Sequence, residues 1–230
     1  MTSSLTTLTA VAGLVLLAAC ASTTSTPEPG PPPPDPIYGP VEDAGRIIPA
    51  VPEAALSPRN RRQEVAYRTD EAPGTIVVDP HARFLYLVLE DQRALRYGVA
   101  VGEQGRAFSG EAVIPFKREW PRWTPTQNML RRDPELYGPV RNGMEGGLDN
   151  PLGARALYLF KGGRDTLYRI HGTTNPFSIG KAVSSGCIRL FNQDILDLHD
   201  RVQAGARVVV LTEEESGKGA TPPGRNPETN

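Results

Sequence analysis

Residues 75–102 read TIVVDPHARFLYLVLEDQRALRYGVAVG, and this stretch decides the fold class. Thr75 to Val78 is β-branched at every position and reads as a strand. Phe84 to Leu89 is a short aromatic and aliphatic run. The polar Glu90-Asp91-Gln92-Arg93 separates it from a second run, Ala94 to Val101, so the two read as a hairpin. Outward from this core, Ala112 to Phe116, Ala156 to Phe160, Leu167 to Ile170 and Arg207 to Leu211 are further short apolar runs of strand length. Two segments carry helical signals. Gln127 to Asp133 is short; Asn192 to Arg201 opens on a residue suited to an N-cap and places Ile195, Leu198 and Val202 near one face. The expectation is a mainly β domain, a mixed and mostly antiparallel sandwich-like sheet with a few short helices.

That domain covers residues 73–212, a length suited to one hydrophobic core. The chain is 39% hydrophobic, enough to build it. A net charge of -1 and a pI near 6.3 exclude the basic surface of a nucleic-acid binder. Two cysteines, Cys20 and Cys187, cannot make a disulfide-dense scaffold or a four-cysteine zinc site.

The flanks differ in composition. Ala10 to Ala19 is an apolar run of signal-peptide length, shorter than the ~20 residues a membrane-spanning helix needs. It ends Leu17-Ala18-Ala19-Cys20, which resembles the lipobox of bacterial lipoproteins, although the MTSSLTT start lacks Lys or Arg. The resemblance implies a signal peptide over 1–19, lipidation of Cys20 and a membrane anchor that does not span. Ala21 after that cysteine hints at the outer membrane. Residues 27–58 hold eleven of the 23 prolines, so 20–72 is expected to be a lipidated N-terminus and proline-rich tether. Arg59, Arg61 and Arg62 are expected to be solvated there. Residues 213–230, acidic and then Pro/Gly-rich, read as a disordered tail.

The chemistry concentrates in His171 to Leu190, HGTTNPFSIGKAVSSGCIRL. A histidine at a strand end is followed, across a loop with turn signals, by Ser184-Ser185-Gly186-Cys187. A lone thiol is an oxidation liability in an exported protein, and with Cys20 lipidated Cys187 has no partner. A free thiol of pKa ~8.5 is mostly protonated at neutral pH. His171 can take that proton or hold the thiolate as an ion pair. Gly186 permits a tight turn, and backbone N–H groups around Ser185 to Cys187 could face an oxyanion. The competing reading is a small buried cysteine beside a satisfied strand-end histidine. His81, His171, His199 and Cys187 show no close metal-ligand spacing, so no metal or cofactor is expected.

The stretch HGTTNPFSIGKAVSSGCIRL closely resembles the signature of the L,D-transpeptidase (YkuD-type) catalytic domain: a histidine, Gly-Thr, and a Ser/Thr-x-Gly-Cys-Ile-Arg block sixteen residues on. IVVDPHARFLYLVLEDQRALRYGVAVG, Trp120 to Thr126 (WPRWTPT) and Gly146 to Gly153 (GGLDNPLG) extend the resemblance over most of 73–212. Ser185 stands where many members carry a histidine. The resemblance implies a peptidoglycan enzyme of the cell envelope, facing periplasm or wall. Cys187 would attack the third residue of a tetrapeptide stem and expel D-Ala. An amine from another stem or a protein lysine would then resolve the thioester; water would make it a carboxypeptidase. His171 would be the base and the Gly172 carbonyl its orienting group. Arg189 would bind a substrate carboxylate or fix the cysteine loop. Ser184, Ser185 and Gly186 would line the substrate side.

The remaining residues divide less sharply. Trp120 and Trp123 either offer a platform to sugar or peptide or pack on the core, with packing favoured. Tyr168 is expected in the core, and Asn150 to Gly153 in a turn with a family-based claim on the cleft. Rival functions are a sortase-like enzyme, which has a much longer His-to-Cys spacing, and a non-catalytic wall-binding lipoprotein, against which His171 and Cys187 speak.

Overall fold

The hairpin of residues 84–98 forms because its two runs alternate between two apolar surfaces. Leu85 and Leu87 point into the main core, and Phe84, Tyr86 and Val88 point into a second cluster with Tyr67, Val77 and Leu211. Every residue from Phe84 to Val88 is therefore buried, although the strand has two faces. In the computed structural model, which describes residues 35–102, 108–183 and 187–220, this hairpin belongs to a mixed sheet.

In chain order the strands are β1 (Val41–Asp43), β2 (Arg46–Ile48), β3 (Gln63–Ala66), β4 (Ile76–Asp79), β5 (Phe84–Val88), β6 (Arg93–Gly98), β7 (Ala100–Gly102), β8 (Gly110–Ile114) and β9 (Lys117–Glu119). Two short helices follow, α1 (Gln127–Arg132) and α2 (Pro134–Tyr137). Then come β10 (Arg155–Lys161), β11 (Arg164–His171), β12 (Ala182–Val183), β13 (Ile188–Arg189), helix α3 (Asn192–Arg201) and β14 (Ala206–Val210). β1 and β2 pair with each other. The others run β12-β7-β13-β11-β10-β8-β14-β4-β5-β6-β3, with β9 also on β10. Three pairs are parallel, β11 with β13, β7 with β12 and β4 with β14, and the rest are antiparallel. The mainly β, mixed and mostly antiparallel fold expected from the sequence is the one observed.

One detail bends this sheet. β6 and β7 are separated only by Val99, yet they sit near opposite ends of the strand order. The sheet must curl so that its ends meet, enclosing Ile76, Leu85, Tyr97, Leu157, Ile170, Ile188 and Leu198. Helix α3 packs its Ile195 and Leu198 face onto that core.

The N-terminal side differs from the tether expected of residues 20–72. Residues 20–34 lie outside the described residues; from Asp35 onward the chain is built into the fold. Tyr38, Val51, Ala55 and Leu56 pack with Ala100, Ile179 and Phe191. Of the three arginines expected in solvent, Arg59 stacks on Phe84 with its guanidinium carbon 4.5 Å from the ring centroid. Arg61 pairs with Asp35 and Glu53, both at 2.7 Å, and Arg62 lies 2.9 Å from Asp197. The prolines do not prevent this. Pro36 opens a 3-10 turn, where no N–H is needed, and the β1–β2 turn uses Ala44 and Gly45 at φ 49 and 73, the conformation a two-residue hairpin demands.

The C-terminal tail is shortened in the same way. Ser216 Oγ and the Gly217 N–H donate to the fully buried Asp79 carboxylate, and Ala220 bridges to Tyr67. Residues 213–220 are thus part of the fold, and 221–230 lie outside the described residues. Among the described residues no helix is long and apolar enough to cross a membrane.

Candidate active site

Parallel pairing of β11 with β13 assembles the site. Ile170 stands opposite Ile188 and His171 opposite Arg189. The two isoleucines are 0% and 2% exposed and enter the core, so strand alternation turns the residues beside them to the other face. Arg169 and His171 on β11, with Cys187 and Arg189 at β13, share that face. Histidine and cysteine, sixteen positions apart in the sequence, thus stand at the end of β11 and immediately before the adjacent β13.

A bulge in β11 sets which residues face this way. Tyr158 pairs with Arg169 but Phe160 pairs with Asp165, so two steps along β10 oppose four along β11. The extra residues include Leu167, at φ 63 and 70% exposed. Its N–H donates to Asp165 Oδ1 at 2.8 Å, and Thr166 Oγ1 donates to the Leu159 carbonyl at 2.6 Å. Tyr168 is half-buried at the core edge and stacks on Phe108, with ring centroids 4.8 Å apart.

His171 is 3% exposed, and its Nδ1 lies 2.6 Å from the Gly172 carbonyl oxygen. A carbonyl only accepts, so the proton of the neutral ring is assigned to Nδ1. Burial holds the imidazole far below its usual value, at about 3, with the Arg189 charge adding to the effect. Hydrogen bonds that the ring makes to the backbone at Gly172 and Leu152 act in the opposite sense and lose. Burial likewise pushes the Cys187 thiol up, against a backbone hydrogen bond from Arg169 and the charges of Arg169 and Arg189. Both shifts favour uncharged partners: a thiol and a neutral imidazole. At Cys187 desolvation outweighs the two guanidiniums because the low-polarity surroundings disfavour the charged form; at His171 the two guanidiniums act with it.

Arg169 is held rigidly. It donates to both Asp165 oxygens at 2.7 and 2.8 Å and stacks on Tyr158, 4.2 Å from the ring centroid. Arg189 is half-buried, and its guanidinium senses the Cys187 sulfur and Tyr137 of α2. The excursion between β9 and β10 thus approaches the site. Asn150, 1% exposed, fastens it: Nδ2 donates to the carbonyls of Pro121, Met144 and Glu145, and Oδ1 accepts from the Leu152 N–H. Trp120 donates its indole N–H to Asp43 at 2.7 Å and lies under Arg46, while Trp123 is half-buried near Tyr137. Trp120 is thus held at the surface of the fold by Asp43 and Arg46, and neither tryptophan belongs to the hydrophobic core. Ser184, Ser185, Gly186 and Cys20 lie outside the described residues. Among the described residues no cluster of metal-ligating side chains occurs.

Residues 73–210 match the L,D-transpeptidase catalytic domain family, YkuD. The chain belongs to this family. It is similar to two Escherichia coli K12 proteins named probable L,D-transpeptidases. ErfK/SrfK is 38% identical over 139 residues, covering 59% of this chain and 43% of the relative. YbiS is 33% identical over 142 residues, covering 61% and 45%. The chain therefore spans less than half the length of these relatives. A solved Brucella melitensis structure, described as a probable carnitine operon oxidoreductase caia, is 55% identical. It covers 69% of this chain and 98% of its own, at a TM-score of 0.48.

Two residues of this L,D-transpeptidase domain escaped the sequence reading. Arg169 has no local signal, because its partner Asp165 lies four residues away within a strand, where such spacing gains meaning only from the bulge. Asn192 reads as the N-cap of α3, but Phe191 holds that position without a side-chain cap. Asn192 instead sits at the first helical position, with its amide turned to the loops around His171.

Proposed function

We propose that this chain is a cysteine-dependent peptidoglycan L,D-transpeptidase in which Cys187 is the nucleophile, His171 the general base and the Gly172 carbonyl its orienting group. The observation that carries this reading is the pairing of β11 with β13, which brings His171 and Cys187 to one face in a chain of this family. The resting pair is neutral, so the thiol proton moves to the imidazole as Sγ attacks the carbonyl of the third stem residue. Collapse of the tetrahedral intermediate breaks the bond to D-Ala, whose amine takes that proton from His171. An acceptor amine then attacks the thioester and gives its proton to His171, and the released thiolate recovers a proton from the imidazolium.

Arg189 supplies a guanidinium for a donor carboxylate. Ser184, Ser185 and Gly186, directly before the nucleophile in sequence, are assigned to substrate binding. The acceptor is a second stem or a protein lysine; water gives carboxypeptidase activity. The chain works in the cell envelope, held by a lipid on Cys20, and Cys20→Ala is expected to release it from membranes.

Purified protein incubated with a disaccharide-tetrapeptide should release D-Ala, and Cys187→Ala should abolish it. A carbapenem should add its mass to the wild type and leave Cys187→Ala unshifted. D-Ala release by the alanine variant overturns the nucleophile. A neutral pair also makes iodoacetamide alkylation of Cys187 slow at pH 7 and still rising above pH ~8.5. A rate already at its plateau at pH 6 would indicate a resting ion pair instead.

A further inference from the structure

We infer that Asn192 is a positioning residue of the transpeptidase site, holding the Gly172 carbonyl against the His171 ring by clamping the two loops on either side of it. The inference rests on the function proposed above and extends it to a residue that touches neither sulfur nor imidazole. Asn192 spends both ends of its amide on the backbone of these loops. Its Oδ1 accepts from the Ala154 N–H at 3.0 Å, and its Nδ2 donates to the Thr173 carbonyl at 3.0 Å. Thr173 follows Gly172 directly. Ala154 leads into β10, where Ala156 pairs with His171 and the Arg155 carbonyl accepts from the Gly172 N–H at 3.1 Å.

The packing is as informative as the hydrogen bonds. A Cβ added to Gly172 would lie 2.2 Å from Asn192 Oδ1, and one added to Gly153 would lie 2.3 Å from it. The amide oxygen therefore rests on the bare Cα atoms of two glycines, one of them the residue whose carbonyl meets the histidine. The clamp also stands on a fixed base. Gln193 Nε2 donates to the carbonyls of Gly39 and Pro49, both at 3.0 Å, and the Tyr38 hydroxyl donates to Asp194 at 3.3 Å. Three consecutive side chains at the start of α3 thus tie the helix to the N-terminal segment and the N-terminal segment, through Asn192, to the catalytic loop. A helix start that served only itself would use the asparagine as its cap.

Misplacing a reacting group by ~1 Å can cost ~10²-fold in rate. Asn192→Ala in the full chain should therefore lower kcat for D-Ala release by roughly 10- to 100-fold while KM stays within about threefold. The nitrogen resonances of His171 should change from the single Nδ1–H tautomer to a mixture. Asn192→Asp, the same shape, keeps the acceptor for Ala154 but has no N–H for Thr173. It is expected between wild type and alanine, and it gives the same readouts should the alanine variant unfold. A kcat that falls only with the folded fraction, or an unchanged His171 tautomer signature in both variants, overturns the positioning role. A wild type that releases no D-Ala, with the tautomer change still present in the variants, overturns the proposed function and leaves the positioning role standing.

Discussion

Asp43 and Arg155, 112 residues apart in the chain, form a two-pronged ion pair: Nη1 reaches Oδ2 and Nη2 reaches Oδ1, each at 2.8 Å. The same carboxylate accepts the Trp120 indole N–H. The β1–β2 hairpin is thereby fastened to β10 and to the start of the excursion that ends beside His171. Arg155 and its neighbours hold the carboxyl below its usual range, the hydrogen bonds from Arg155 outweighing the burial that opposes them.

Asp43→Ala should destabilise the protein. It leaves a guanidinium that is 6% exposed without its carboxylate, since Glu119 stays 3.9 Å away and is itself mostly solvated. Removing one partner of a buried pair costs about 3 kcal/mol. Urea unfolding should show a lower midpoint with an unchanged slope, and an unchanged midpoint would mean that the hairpin is not held by this pair.

Leu167→Gly should stabilise it. Leucine at φ 63 carries ~1–2 kcal/mol of steric strain, and at 70% exposure its side chain gives up little burial when removed. Against this stands the ~0.5–1 kcal/mol entropy cost of glycine, leaving a net gain of about 0.5 kcal/mol. Leu167→Asn, which tolerates this conformation, should behave similarly. Loss of stability in both variants would show that the leucine side chain holds the bulge together.

Two buried groups give the protein opposed pH responses. His171 stays neutral to about pH 3, against a usual value of 6.5, so between these values the unfolded chain binds more protons and stability falls as pH falls. Burial raises Asp194 from 3.8 to about 7, with Arg62, Tyr38, Asp197 and Asp35 as its polar neighbours. Here the folded chain holds the extra proton, and stability falls as pH rises. Each slope approaches ~1.4 kcal/mol per pH unit, so they offset one another from about pH 4 to 6.5. Asp194→Asn removes the second. The variant should gain stability with rising pH across that window and exceed the parent at neutral pH. Parallel pH profiles for parent and variant, measured by urea unfolding, would refute the assignment.

The strands were legible because their partners follow local rules. β5 and β6 are near neighbours joined by a polar turn, and periodicity with turn chemistry suffices for such a pair. The N-terminal segment was not legible. Tyr38, Val51 and Leu56 are sparse among prolines, and their apolar character becomes a core only where Ala100, Ile179 and Phe191 meet them. Asn192 was misread for a related reason. At a helix start an asparagine carries a strong local meaning, and only the approach of Gly153 and Gly172 gives it a different one.

By itself, the sequence determined the strand-rich class and the central domain, and it singled out Cys187 and His171 as the pair proposed to react, because thiol and imidazole chemistry belongs to residue types and their signature spacing. The tertiary structure alone decided that residues 35–66 are scaffold, that Arg169 faces the thiol, and that burial pushes the His171 imidazole down and the Cys187 thiol up. Those properties depend on strand register and desolvation, which arise only when distant segments pack together.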